Sequence, residues 1–141
     1  MDGLIDTLTR GNPTEVKVVL ATVALALSVY QVAVIAFAYG KVRPRFLGAA
    51  PAALAHRAVG DAIALILVVC ATICIAYYGF DDDAGLHVAA ASALLLALAL
   101  KVAVVRRLHG LGRLLPVIGA SIWVLLALTW LTSAGDFLAD R

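Results

Sequence analysis

Four stretches of this chain are too long, too apolar and too free of charge to be stable in water. Residues 18–40 carry no charged side chain, nor do residues 62–80 or 114–135, and residues 84–100 hold His87 as their one ionisable group. A helix crosses a bilayer's hydrocarbon with ~20 apolar residues, at ~1.5 Å of rise each through ~30 Å. Each stretch meets or approaches that length. The whole chain has 141 residues, 64% of them hydrophobic and only 14% charged. A soluble domain of this size would leave much of that apolar surface in water. None of the runs alternates apolar with polar residues as barrel strands must, and lipid demands that each backbone segment satisfy its own hydrogen bonds. The expected fold is therefore an all-α membrane protein, a four-transmembrane-helix up-down bundle. Its spans are placed at about residues 16–40, 52–80, 84–106 and 113–134 within a membrane domain of 16–134, flanked by segments 1–15 and 135–141. The connections are short, so neighbours in sequence are expected to be neighbours in space.

The charges orient the spans. Lys41, Arg43, Arg45, Arg57, Lys101, Arg106, Arg107 and Arg113 belong to the first and third connections and the helix ends beside them, and make up eight of the eleven Lys and Arg residues. Eight of the nine acids (Asp2, Asp6, Glu15, Asp81, Asp82, Asp83, Asp136 and Asp140) lie in the N-terminal segment, the second connection or the C-terminal tail. Basic loops remain in the cytoplasm. Both ends and the Asp81–Asp83 turn are thus expected outside, N-out and C-out, in a bacterial plasma membrane crossed several times. Tyr77, Tyr78 and Trp130 are expected in the outer aromatic belt and Tyr39 in the inner one. The N-terminus lacks the basic start and short apolar core of a secretory signal. There is no basic tail with interleaved aromatics, so nucleic acid is not an expected partner. The expected surroundings are lipid, with further membrane subunits or other copies of the chain.

The chain also reads as two hairpins of the same orientation. His56-Arg-Ala-Val-Gly60 precedes the second apolar run, and His109-Gly-Leu-Gly-Arg113 precedes the fourth. If the halves are alike, the axis relating them runs along the membrane normal, and His56 and His109 come to similar depth. Two imidazoles on different helices can hold a haem iron from both sides. Arg57, Arg106, Arg107 and Arg113 could then pair with the propionates. The alternative is a pair of interfacial histidines in basic surroundings with no ligand. His87 is expected near the outer face, touching Glu15, Lys17 or Tyr77, or meeting a quinone headgroup. Asp61 is the one acid of the cytoplasmic half. It is expensive in lipid and is expected to face the bundle interior or a polar cavity, paired with Lys101 on the third helix or with Arg57 one turn earlier. Tyr30 and Gln31 are polar groups in mid-span and need partners. Ser121 and Trp123 are candidates, or a neighbouring subunit. Cys70 and Cys74 share a helix face, are badly placed for a disulfide, and read as small buried hydrophobes. No nucleophile–base constellation or hydrolase or kinase motif is present.

With histidines at helix starts beside basic loops, the order of parts resembles the small membrane cytochromes b and is similar in kind to cytochrome b561 and the ferric-reductase transmembrane domain. The resemblance rests on His56, His109 and His87 within residues 16–134. It implies an electron-transfer component with haem b, although those families carry two histidine pairs and this chain supplies one. The Ala- and Val-rich, Lys-poor composition resembles that of actinobacterial proteins. Two other functions stay open: an accessory subunit of a larger membrane complex, such as a respiratory one, and a small transporter or channel using Asp61, Lys101 and Gln31.

Overall fold

The computed structural model describes residues 7, 9–38, 49–79 and 85–139, with the side chains of 36–38, 49, 50 and 109 left out. The expectations for Tyr39, for Lys41, Arg43 and Arg45, and for the Asp81–Asp83 turn lie outside the described residues.

Four long helices account for nearly everything described, and no strand occurs among the described residues. The first, α1 (Pro13–Ala38), follows a left-handed turn in which Arg10 and Gly11 have φ of 53° and 74°. Pro13 begins the helix, where its missing N–H costs nothing. Asn12 receives the first helical bond, from the Val16 N–H at 3.2 Å, and its side chain donates to Glu15 Oε2 at 3.1 Å. The second helix, α2 (Ala49–Ile73), runs into a π-helical segment, Cys74–Tyr78, and stops at Gly79 with φ 68°. The third is α3 (Gly85–Arg106). A 3₁₀ turn, His109–Leu114, leads into α4 (Leu115–Trp130), whose Pro116 sits in its first turn. A second π segment, Leu131–Gly135, joins α4 to a final turn, α5 (Asp136–Ala139).

Length and composition qualify four segments to cross a membrane: Pro13–Ile35, Pro51–Tyr78, Gly85–Arg106 and Gly110–Ala139. The chain is a multi-pass membrane protein of the all-α class. Its hairpins are the tightly packed units, α1 on α2 and α3 on α4, and the two are joined mainly along α1 and α4. Small residues make this possible. Ala24 on α1 is fully buried, and Gly60 on α2 takes the Gln31 side chain of α1 so closely that an added Cβ would lie 3.2 Å from Nε2. Close backbone approach through small residues is the usual way helices associate in lipid, where apolar burial offers no driving force.

The common core is built from Ala24, Ile63, Leu67, Leu94, Val104, Ile118, Ile122 and Leu126. Outside it, Leu54, Leu65, Leu96 and Val117 are each more than 60% exposed, an arrangement that belongs in hydrocarbon. Sequence neighbours are not all close neighbours in space. The backbones of α2 and α3 pack far less intimately than those within either hairpin, and near Tyr78 and His87 a cavity separates them.

Candidate functional site

The cavity lies at the end of the bundle where α2 finishes and α3 begins. It encloses ≈ 380 Å³ and all four helices contribute to its wall. Its lining is mostly apolar, with Leu67, Ala71, Val88, Ala91, Leu95 and Leu126 among the residues present. The polar groups come from Lys17 on α1, His87 and Ser92 on α3, and Thr129, Thr132 and Ser133 on α4 and its π segment. Both π segments reach the wall, through Cys74, Ile75 and Tyr78 on one side and Thr132 and Ser133 on the other. A π turn inserts an extra residue and turns side chains off the α-helical stripe, a device common at functional sites. The second helix of each hairpin ends this way, at the same end of the molecule.

Hydrogen bonds fix the rim. The Thr14 and Tyr78 hydroxyls bond to each other and tie α1 to the end of α2. Tyr78 also presents its ring to Lys17, whose Nζ lies 4.4 Å from the ring centroid, a cation–π contact. Tyr77 packs edge-on against Tyr78 with centroids 5.1 Å apart. Across the bundle, Trp130 Nε1 donates to Thr22 Oγ1 at 2.9 Å, so α4 is held to α1. Trp130, expected in the aromatic belt, therefore also lines the cavity.

His87 is the centre of the site's chemistry. Its Nδ1 lies 3.1 Å from Thr132 Oγ1. The Thr132 hydroxyl has one proton, which it directs to the backbone carbonyls of its own helix, Leu128 at 3.0 Å and Thr129 at 3.4 Å. With the proton so directed, the hydroxyl oxygen accepts and His87 donates from Nδ1, the tautomer that satisfies all three contacts. A neutral imidazole with its proton on Nδ1 keeps Nε2 as an acceptor. Of the partners expected for His87, Lys17 is close enough for its charge to act on the ring. Thr132 was not foreseen; a threonine in an apolar run reads as one more helix-bonded hydroxyl. Cys70 and Cys74 are free thiols, half-buried, and they line the cavity rather than the core.

The other expected site residues lie at the opposite end. His56 is on the second turn of α2 and is half-buried, and its Nδ1 is shielded from solvent without a hydrogen-bond partner among the described residues. Its backbone carbonyl accepts a bond from Gln31 Nε2 at 2.7 Å. Gln31 is buried, and its Oε1 likewise has no partner among the described residues. The backbone of His109 begins the 3₁₀ turn at this same end, and its side chain lies outside the described residues. Arg57 and Arg113 are exposed. The described part of a haem site is therefore one half-buried imidazole, whose Nδ1 has no partner among the described residues, and two exposed guanidinium groups. No cluster of three or more His, Cys, Asp or Glu side chains able to hold a metal occurs among the described residues.

Two expectations are corrected. Asp61 does not face the interior; its side chain is exposed on the outer surface of α2, and among the described residues it forms no direct ion pair with Arg57 or Lys101. Lys101 is half-buried and feels the Asp61 charge at longer range. The reason is rotational: Gly60 and Ile63 take the inward positions of that turn, so Asp61 is turned away. Ser121 and Trp123 are not partners of the mid-span polar groups either. Ser121 donates to Val117 of its own helix at 3.0 Å, and Trp123 and Tyr30 are 40% and 50% exposed.

These features describe a multi-pass membrane protein with an apolar cavity, a few convergent polar groups and no assembled catalytic triad or metal cluster among the described residues. The chain belongs to the family of unknown function DUF6529, whose model matches residues 4–141. Comparison with curated proteins and with solved structures gives no match.

Proposed function

We propose that this protein is a bacterial plasma-membrane component that binds a quinone-class ligand in the cavity beside His87, with its basic loops in the cytoplasm and the cavity near the outer face. The observation that carries the reading is the cavity itself: ≈ 380 Å³, lined by all four helices, mostly apolar, with Lys17, His87, Ser92, Thr129, Thr132 and Ser133 as its polar groups. Small-molecule sites are typically clefts of about 300–1,000 Å³ with apolar walls and a few placed polar groups. An isoprenoid quinone has the matching shape, a flat ring with two oxygens and a tail that belongs in lipid. The Lys17 ammonium donates to a quinone carbonyl. His87, with its proton held toward Thr132, accepts at Nε2 from the hydroxyl of the reduced quinol. The site thus has a donor for the oxidised form and an acceptor for the reduced form, as an electron-transfer component or an accessory subunit of a respiratory complex requires.

The test is titration of the detergent- or nanodisc-purified chain with a short-tailed quinol and the matching quinone, read by quenching of tryptophan fluorescence, since Trp130 lines the cavity. Saturable binding is expected. His87→Ala should weaken quinol binding about tenfold or less, the loss of one hydrogen bond of ~0.5–1.5 kcal/mol. Ala91→Leu should block both ligands by filling the cavity. Absence of saturable quenching by either form refutes the reading.

A second reading is one b-type haem at the opposite end, supported by the Nδ1 of His56, which is shielded and has no partner among the described residues. His56 and His109 would hold the iron, with Arg57 and Arg113 toward the propionates, and the haem would supply one-electron redox chemistry. Its test is the optical spectrum of protein expressed with ample haem. A Soret band that disappears in His56→Ala supports this reading, and a featureless spectrum removes it.

A further inference from the structure

We propose, resting on the quinone-class reading of the cavity, that its ligand enters from the lipid through an opening between α2 and α3, and that the Ser92 hydroxyl at this opening bonds the ligand's second oxygen.

The exposed part of the cavity wall lies on one side. Ile75 and Tyr78 at the end of α2, Gly79 after them and Ser92 on α3 are exposed, whereas the lining residues of α1 and α4 are buried or half-buried. The helices on that side, α2 and α3, are also the neighbours whose backbones pack loosely. The opening therefore faces outward between these two helices. Its depth decides what lies outside it. Ser92 is seven residues beyond Gly85 on a helix of 22, about 10 Å of rise at ~1.5 Å per residue. Against ~30 Å of hydrocarbon, that level belongs to acyl chains and not to water. A ring on an isoprenoid tail, already dissolved in the bilayer, meets the opening sideways.

Ser92 also differs from most hydroxyls of the spans. Thr22, Ser28, Thr72, Ser121, Thr129 and Thr132 each donate to a backbone carbonyl three or four residues earlier in their own helix, the ordinary way for a hydroxyl within a helix to be satisfied. Among the described residues Ser92 makes no such bond, nor does Ser133, and both line the cavity. Five residues of helix set Ser92 about 7.5 Å deeper than His87. A ring with oxygens on opposite sides, and a hydrogen bond of ~2.7–3.0 Å at each, covers that distance. One oxygen then sits beside Lys17 and His87, and the other reaches Ser92. A serine hydroxyl donates to a quinone carbonyl and accepts from a quinol hydroxyl, so it serves both redox forms. The tail leaves past Ile75 into the bilayer.

The full chain in nanodiscs is titrated with a short-tailed naphthoquinone and with the tetralone of the same tail, which keeps one carbonyl and lacks the other. Quenching of tryptophan fluorescence reads the quinone, and its displacement reads the tetralone. Ser92→Ala should weaken the naphthoquinone about two- to tenfold, the worth of one hydrogen bond, and leave the tetralone and the melting temperature unchanged. Equal loss for both ligands, or loss for neither, would overturn the role of Ser92 while quinone binding stands. Absence of saturable quenching by the quinone overturns the quinone-class reading and this inference together. A naphthoquinone with a diazirine on its tail tests the path in the unaltered chain. Adducts that excess unlabelled quinone displaces should fall on α2 and α3 near Ile75 and Ser92. Displaced adducts on the outer faces of α1 or α4 instead, or none at all, would overturn entry between α2 and α3.

Discussion

The seat of Gln31 against Gly60 sets the spacing of α1 and α2, and a double-mutant cycle measures it. A methyl group added at Gly60 would lie 3.2 Å from Gln31 Nε2, closer than most real carbon contacts, so the amide must move by a few tenths of an ångström. That amide donates to the His56 carbonyl at 2.7 Å, and the displacement weakens the bond. Interhelical hydrogen bonds in membrane proteins contribute about 0.6 kcal/mol on average and up to ~1.7. Against this stands the backbone-entropy gain of replacing Gly by Ala, ~0.5–1 kcal/mol in water. That gain is reduced in lipid because the dissociated helix stays helical. Gly60→Ala alone is therefore expected to destabilise by about 0.5–1.5 kcal/mol, up to the full worth of the bond. In a Gln31→Ala background the clash and the bond are both absent, and Gly60→Ala should be neutral or slightly stabilising. The coupling energy is then about 1 kcal/mol, well above the few tenths expected of independent sites. Reversible unfolding in mixed micelles, or thermal melting followed by size-exclusion chromatography, gives the four stabilities. Additivity within ~0.3 kcal/mol would show that Gln31 does not occupy the notch and would refute the proposed packing of α1 on α2.

Other consequences are as direct. Leu126 is 2% exposed in the common core, so Leu126→Ala should cost roughly 2–5 kcal/mol, whereas Leu96→Ala, at 71% exposed, should leave the melting temperature nearly unchanged. Of the two tryptophans, Trp123 is 40% exposed on the outer surface of α4 while Trp130 is bonded to Thr22. Brominated acyl chains should therefore quench the emission of a Trp130→Phe protein more strongly than that of a Trp123→Phe protein, and the opposite order would contradict the rotation of α4. Trp130→Phe also removes the bond to Thr22 and should lower stability by ~0.5–1.5 kcal/mol.

The presence and number of the helices were legible because their signal is one-dimensional. A run such as 114–135 is recognised by counting apolar residues against the thickness of hydrocarbon, with no knowledge of what it touches. The same reasoning brought His56 and the backbone of His109 to one end and His87 to the other. Rotation was not legible. In water the buried side of a helix is the apolar side, but here lipid and core are equally apolar, so the pattern of residues in α2 does not say that Gly60 faces inward and Asp61 outward. The general rule that an intramembrane acid points into the bundle failed at Asp61 for this reason.

The chain alone determined that it must live in lipid as four helices, because uninterrupted apolar length has no other stable setting, and it singled out the three histidines by their rarity. Only the tertiary structure decided that Gln31 lies on Gly60, that the π segments Cys74–Tyr78 and Leu131–Gly135 meet at one end, and that His87 hydrogen-bonds to Thr132. Those depend on the azimuth of one helix against another. Azimuth in a bilayer is set by the fit of small side chains and a few polar bonds, contacts between residues distant in sequence that no single run of letters encodes.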